Sequence, residues 1–142
     1  MKPISELLKK HDTPAYHIAP DASVFEALQL LADLGVGALL VMESDQLLGV
    51  VSERDYTRKV ALLGKNSKEI KVAEIMTRDP FTVTPNTGTR ACMSLMSHKK
   101  FRHLPVVENG KVMGMISIRD IMDDIIADNE QTISQLTSYI SS

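Results

Sequence analysis

Gly49-Val50-Val51-Ser52-Glu53-Arg54-Asp55 and Gly114-Met115-Ile116-Ser117-Ile118-Arg119-Asp120 are the same phrase written twice, 65 residues apart. Four of the seven positions are identical and two more are apolar in both copies. The match extends outward without a gap, so that Ile18–Asp55 overlays Val83–Asp120, with Pro20 on Pro85, Leu30 on Leu95, Leu39 on Leu104, Val41 on Val106 and Glu43 on Glu108. The chain of 142 residues is therefore two copies of one unit. A unit of about 60 residues buries too little apolar surface to stand comfortably alone, so the two copies are expected to pack on each other.

Each copy shows the same order of elements. Asp21-Ala22-Ser23 offers a helix cap, and Val24, Leu28, Leu31 and Ala32 then recur at the three- and four-residue spacing of a buried helix face. Cys92, Met93, Leu95 and Met96 repeat this after Pro85-Asn86-Thr87. The apolar runs Ala38–Met42 and Leu104–Val107 fit strands buried on both faces. Short polar turns at Ser44-Asp45 and Asn109-Gly110 predict hairpins into second strands, Leu47–Val51 and Val112–Ile116. Ser52 and Ser117 open closing helices, with Ile121, Met122, Ile125 and Ile126 as the apolar positions of the second. With the short strand that leads each copy, the unit reads β-α-β-β-α. The expected organisation is 1–71 for the first unit with its lead-in and connector, 72–127 for the second, and 128–142 for a helical tail. In that tail Ile133, Leu136 and Ile140 form a narrow apolar stripe expected to dock on the module or on a second chain.

Composition removes several function classes. Sixteen Lys and Arg against 18 Asp and Glu give a net charge of −2, without the general basic field of a nucleic-acid partner. No apolar run approaches the length of a membrane span or a signal peptide, so a cytoplasmic protein is expected. The single cysteine, Cys92, has no second thiol for a disulfide or a metal pair. The four histidines lack zinc-ligand spacing, and Gly64-Lys65-Asn66 lacks the glycine that a phosphate-binding loop requires. Nothing in the sequence points to catalysis. Eight methionines read most simply as adaptable core filler.

The paired Gly-apolar-apolar-Ser-x-Arg-Asp stretches, the run Phe101-Arg102-His103-Leu104-Pro105-Val106-Val107 and the linker Ala73-Glu74-Ile75-Met76-Thr77-Arg78-Asp79-Pro80 together resemble a tandem pair of CBS domains, a Bateman module. The resemblance spans roughly Ile4 to Ile126. It implies an α/β (α+β) fold of two repeats packed by their sheets about a pseudo-two-fold axis. It also implies two clefts that take adenine nucleotides, AMP, ADP, ATP or NAD, as regulatory ligands, and a homodimer that acts on an effector protein.

The residues add chemistry to that resemblance. Ser-x-x-Asp at a helix start is a capping box, yet the same carboxylate can accept hydrogen bonds from two ribose hydroxyls, and free helix N–H groups beside an Arg attract phosphate. The resemblance assigns Asp55 and Asp120 to ribose and Ser52 and Ser117 to the neighbourhood of phosphate. Arg54 and Arg119 sit in the first helical turn, where a cation opposes the helix dipole, so an anionic partner suits them. His98-Lys99-Lys100-Phe101-Arg102-His103 is the one concentrated basic segment and leads into a buried strand, which makes Arg102 and His103 phosphate candidates ahead of Lys100. The first copy carries Gly37 and Ala38 in their places. Tyr16 and Phe81 occupy matched positions, where base lining and ordinary packing are both open readings. The family pattern pairs Asp120, Ser117 and Arg119 with Tyr16, Val36 and Gly37 in one cleft, and Asp55, Ser52 and Arg54 with Phe81, Arg102 and His103 in the other. The leading expectation is a stand-alone nucleotide sensor; the alternatives are an interaction module with empty clefts and, against the charge balance, nucleic-acid binding through Lys99, Lys100 and Arg102.

Overall fold

The computed structural model describes residues 2–11 and 16–141. In chain order the elements are α1 (Ile4–His11), β1 (His17–Ile18), α2 (Val24–Leu34), β2 (Ala38–Glu43), β3 (Gln46–Ser52), α3 (Glu53–Tyr56), which continues as a π-helical turn (Thr57–Ala61), α4 (Val72–Ile75), β4 (Thr77–Arg78), α5 (Thr89–Lys99), β5 (His103–Glu108), β6 (Lys111–Ser117) and α6 (Ile118–Ser141). The first repeat's β1, β2 and β3 are joined by β4, from the start of the second repeat in sequence, in a four-stranded sheet of order β1-β2-β3-β4, and β5 and β6 form a two-stranded sheet. The leading strand of the second repeat is reduced to one parallel bridge, Val83 to Val106, at the position where Ile18 pairs with Val41 in the first.

The repeat holds down to fine geometry. Both hairpins turn through two residues of positive φ, Ser44 and Asp45 in one and Asn109 and Gly110 in the other, which matches the turn twist to that of the strands. Both carry a register shift at the same place, between Val41 and Met42 and between Val106 and Val107. The helix starts differ. Ser23 caps α2 by accepting the Glu26 N–H at 3.1 Å. Thr87 instead accepts the Thr84 N–H at 3.1 Å, and α5 begins at Thr89 behind Gly88 with no side-chain cap.

The continuous apolar character of β2 follows from burial on both faces. Leu39 and Val41 enter the core beneath α2, whereas the alternating Ala38 and Leu40 join Val50 in a second cluster that packs against Val112 and Met115 of β6. The two repeats thus meet through their sheets. Their cores also exchange a helix. Val72, Ile75 and Met76, which begin the second repeat in sequence, lie in the first repeat's core; Ile4 and Leu7 of α1 lie in the second's. The backbone contacts are equivalent: Val72 and Ala73 donate to the carbonyls of Ala22 and Pro20 at 2.8 and 2.9 Å, and Ile4 and Ser5 to those of Thr87 and Pro85 at 2.8 and 2.9 Å.

Helix α6 runs without interruption from Ile118 to Ser141, so the expected tail is a continuation of the second repeat's closing helix. The side chains of Ile133, Leu136 and Ile140 lie outside the described residues. Among the described residues no helix is long and apolar enough to cross a membrane.

Candidate functional site

The groove between the repeats opens into a cavity of about 840 Å³. From the first repeat come Gly37, the end of β3 at Ser52, and Arg54, Asp55, Arg58 and Lys59 of the following helix; from the second come Pro80, Phe81 and the segment Lys99–His103. Seven of the twelve candidate residues therefore share this space: Gly37, Ser52, Arg54, Asp55, Phe81, Arg102 and His103. Tyr16, Val36, Ser117, Arg119 and Asp120 are not among its lining residues.

The first helical turn after β3 is a complete capping box. Ser52 Oγ accepts the Asp55 N–H at 3.2 Å, and Asp55 Oδ2 accepts from the Ser52 N–H at 2.9 Å and from its hydroxyl at 3.0 Å. Asp55 is thereby held with Oδ2 committed to the cap. Its Oδ1 faces Lys59 Nζ at 3.4 Å, and Lys59 donates also to the Ile75 carbonyl at 2.8 Å. The second repeat has the same box, with Asp120 Oδ2 accepting the Ser117 N–H at 2.9 Å and Ser117 Oγ accepting the Asp120 N–H at 3.0 Å. Where the first repeat has Lys59, however, the second has Asp124, which is 4% exposed and ion-paired to Lys2 at 3.3 Å. Lys2 reaches Asp128 as well, at 3.0 Å, and these bonds, to Asp128 first and then Asp124, raise its pKa.

His103 links the two halves of the site. It pairs with Ser117 across β5 and β6 and lines the Asp55 cavity, and its Cε1 and Nε2 lie 3.6 and 3.7 Å from where a side chain on Gly37 would begin. A methyl group at Gly37 would thus meet the imidazole at ordinary van der Waals distance. Burial lowers the His103 pKa; the Asp120 carboxylate partly offsets this and the Arg102 guanidinium adds to it.

The matched aromatics take different roles. Phe81 is 47% exposed on the cavity wall, with its ring centroid 5.4 Å from that of Phe101 and Lys99 Nζ 5.3 Å above it. Tyr16 packs against the first core, as does Val36, whose N–H closes α2 on the Leu31 carbonyl at 3.1 Å. Gly37, grouped with Asp120 by the family pattern, lines the Asp55 cavity. Sequence reasoning missed Arg58 and Lys59. The acid-to-lysine spacing of four in Asp55-x-x-x-Lys59 was the available signal. Cys92 is fully buried, and burial pushes its thiol up to about 11, so it is an inert packing residue. Among the described residues no group of three or more His, Cys, Asp or Glu side chains is placed to hold a metal ion.

Two α+β repeats joined through their sheets, with a basic cavity at the seam, define a paired-repeat module of the kind that the duplicated motif implied. The sequence profile of the CBS domain matches twice, at residues 4–62 and 72–127. The chain belongs to the CBS domain family. It is 36% identical over 125 residues to the CBS domain-containing protein CBSX3, mitochondrial, of Arabidopsis thaliana, an alignment that covers 84% of this chain and 61% of that protein. Against CBSCBSPB5 of the same plant, 37% identity over 118 residues covers 82% of this chain and 22% of the relative. The chain thus spans less than two thirds of these curated relatives. Among solved structures, the CBS domain structure NE2398 superposes with a TM-score of 0.84 at 43% identity, covering 88% of this chain and 98% of that one. PAE2072 from Pyrobaculum aerophilum, a CBS domain protein complexed with AMP, superposes with a TM-score of 0.75 at 30% identity, covering 84% and 89%.

Proposed function

We propose that this CBS pair is a non-catalytic regulatory module that binds an adenine nucleotide, AMP, ADP, ATP or NAD, in the groove between its repeats. Binding shifts the position of one repeat against the other, and an effector protein reads that shift. The observation that carries the reading is the convergence of a capped carboxylate, Asp55, with Arg54, Arg102 and His103 around one cavity. That set combines an acceptor for ribose hydroxyls with donors for phosphate. The volume of about 840 Å³ lies in the range of small-molecule sites, and the AMP-bound relative supports the class of ligand. In this reading the module is a cytoplasmic homodimer, and the exposed Leu62, Leu63, Met122 and Ile126 are the surfaces that a second copy would cover.

Calorimetric titration with the four nucleotides tests the proposal directly. Binding that is weakened in Asp55→Ala supports it, and no heat of binding at millimolar nucleotide rejects it. The competing reading, an interaction module with empty clefts, draws on the Asp55–Lys59 ion pair, which already occupies the outer carboxylate oxygen. It predicts a melting temperature that no nucleotide changes.

A further inference from the structure

The Asp55 cavity is far more cationic than the rest of the molecule. Arg54, Arg58, Lys59, Lys99, Lys100 and Arg102 line it against only two carboxylates, Glu53 and Asp55, an excess of four positive charges in a chain whose net charge is −2. The repeat supplies an internal control. Shifting each cationic position by 65 residues into the other copy gives Arg119, Asp123 and Asp124 on the closing helix, and Leu34, Gly35 and Gly37 before β2. One cation remains of six, and two have become acids. The excess is thus a property of this one cavity and not of the repeat.

Such a concentration of like charge along one recess focuses a positive potential there and attracts anions. Lys59 and Lys99 show how it is held: the first is fixed between Asp55 and the Ile75 carbonyl, the second over the face of Phe81. Arg54, Arg58, Lys100 and Arg102 line the same cavity with exposed side chains that an anionic ligand can reach. A monophosphate brings at most about two negative charges near neutral pH, which leaves half the excess unmatched, whereas each phosphate added in a chain brings more. We infer that the Asp55 cavity is built for a chain of two or three phosphates, with Arg58, Lys59, Lys99 and Lys100 as binding residues beyond those of the repeated motif. Where the phosphate chain is carried by adenosine the inference rests on the function proposed above; inorganic polyphosphate has the same chemistry and is separated by the test.

The test is calorimetric titration of the whole chain, in buffer free of divalent cations, with AMP, ADP, ATP and inorganic tripolyphosphate. Affinity is expected to rise from AMP to ADP to ATP by roughly tenfold a step, the least that one new charge-assisted hydrogen bond gives. Arg58→Gln and Lys99→Met both alter exposed side chains, so neither threatens the fold. Together they should lower the ratio of ATP to AMP affinity, which a general loss of structure would leave unchanged. Equal or tighter binding of AMP than ATP overturns the inference while leaving nucleotide sensing intact. Tripolyphosphate binding without any nucleotide binding supports the inference and rejects the sensing function. Failure of all four ligands to bind rejects both.

Discussion

Gly49 and Gly114 hold the same place in the two repeats, but alanine should be tolerated at only one of them. A Cβ on Gly49 would lie 2.5 Å from the Thr77 carbonyl oxygen and 2.9 Å from Met76 Sδ. The first contact is about an ångström inside a normal van der Waals separation. The carbonyl belongs to β4, which pairs with β3 at Gly49–Arg78 and Val50–Thr77, so it cannot retreat without breaking the ladder. Overpacking of this kind costs about 1–3 kcal/mol, and a lost ladder hydrogen bond about 1 more. Against this, alanine in place of a strand glycine gains roughly 0.5–1 kcal/mol. The net expectation for Gly49→Ala is a loss of about 1–3.5 kcal/mol, or a fall of roughly 4–14 °C in melting temperature for a chain of this size. At Gly114 the nearest atom is the Leu8 Cδ2 methyl at 3.0 Å, the far end of a flexible side chain. Rotating it away costs about 0.5–1.5 kcal/mol, which the alanine gain largely cancels. Urea and thermal unfolding followed by far-ultraviolet circular dichroism measure both variants. Equal destabilisation by the two, or no effect of Gly49→Ala, would refute the account of how the exchanged segments lie on each sheet.

Two further outcomes follow from the same geometry. The His103 pKa is below its ordinary value of 6.5, so the unfolded chain binds the proton more readily. Its contribution to stability is therefore complete above pH 6.5 and is lost as the pH falls from there toward the lowered pKa, with a slope of at most about 1.4 kcal/mol per unit. Urea midpoints measured across that range should fall less steeply on acidification in His103→Gln than in the unaltered protein, and an unchanged slope would show that His103 is not held neutral. Ile4→Ala should cost about 2–5 kcal/mol and raise amide exchange at Leu104 and Val106 more than at Leu39 and Val41, because Ile4 is fully buried in the second core; the opposite pattern would contradict the helix exchange.

Much of the unit was legible because its signals are local. The turn residues Ser44-Asp45 and Asn109-Gly110, the Ser52 and Ser117 boxes, and the apolar strands each act within a few residues, and the shift of 65 then duplicates them. The helix exchange was not legible, for a definable reason. Ile4-Ser5-Glu6-Leu7-Leu8 corresponds to Val72-Ala73-Glu74-Ile75-Met76 at a shift of 68, since the first copy has three more residues before its leading strand. A gapless comparison at 65 passes over that match. The gathering of Ser52, Arg54, Asp55, Phe81, Arg102 and His103 in one cavity depends on the packing of one repeat against the other, which spacing alone does not give; the family pattern supplied it. The fit of the His103 ring over Gly37 is a contact of the same kind, 66 residues apart in sequence, and neither residue signals the other.

The exchange also bears on how a ligand in the cavity would act. Thr77, Pro80 and Phe81, which line it, follow directly on the α4 segment that completes the first core, while Arg102 and His103 open the strand at the centre of the second. An anion bridging Arg54 and Arg102 would therefore bear on both cores and on the chain that crosses between them. Because each core contains a helix from the other repeat, neither repeat can loosen without drawing on its neighbour. Under the function proposed above, a ligand bound at the seam would in this way change the relation of the two halves, which is the form of output that a partner protein would read.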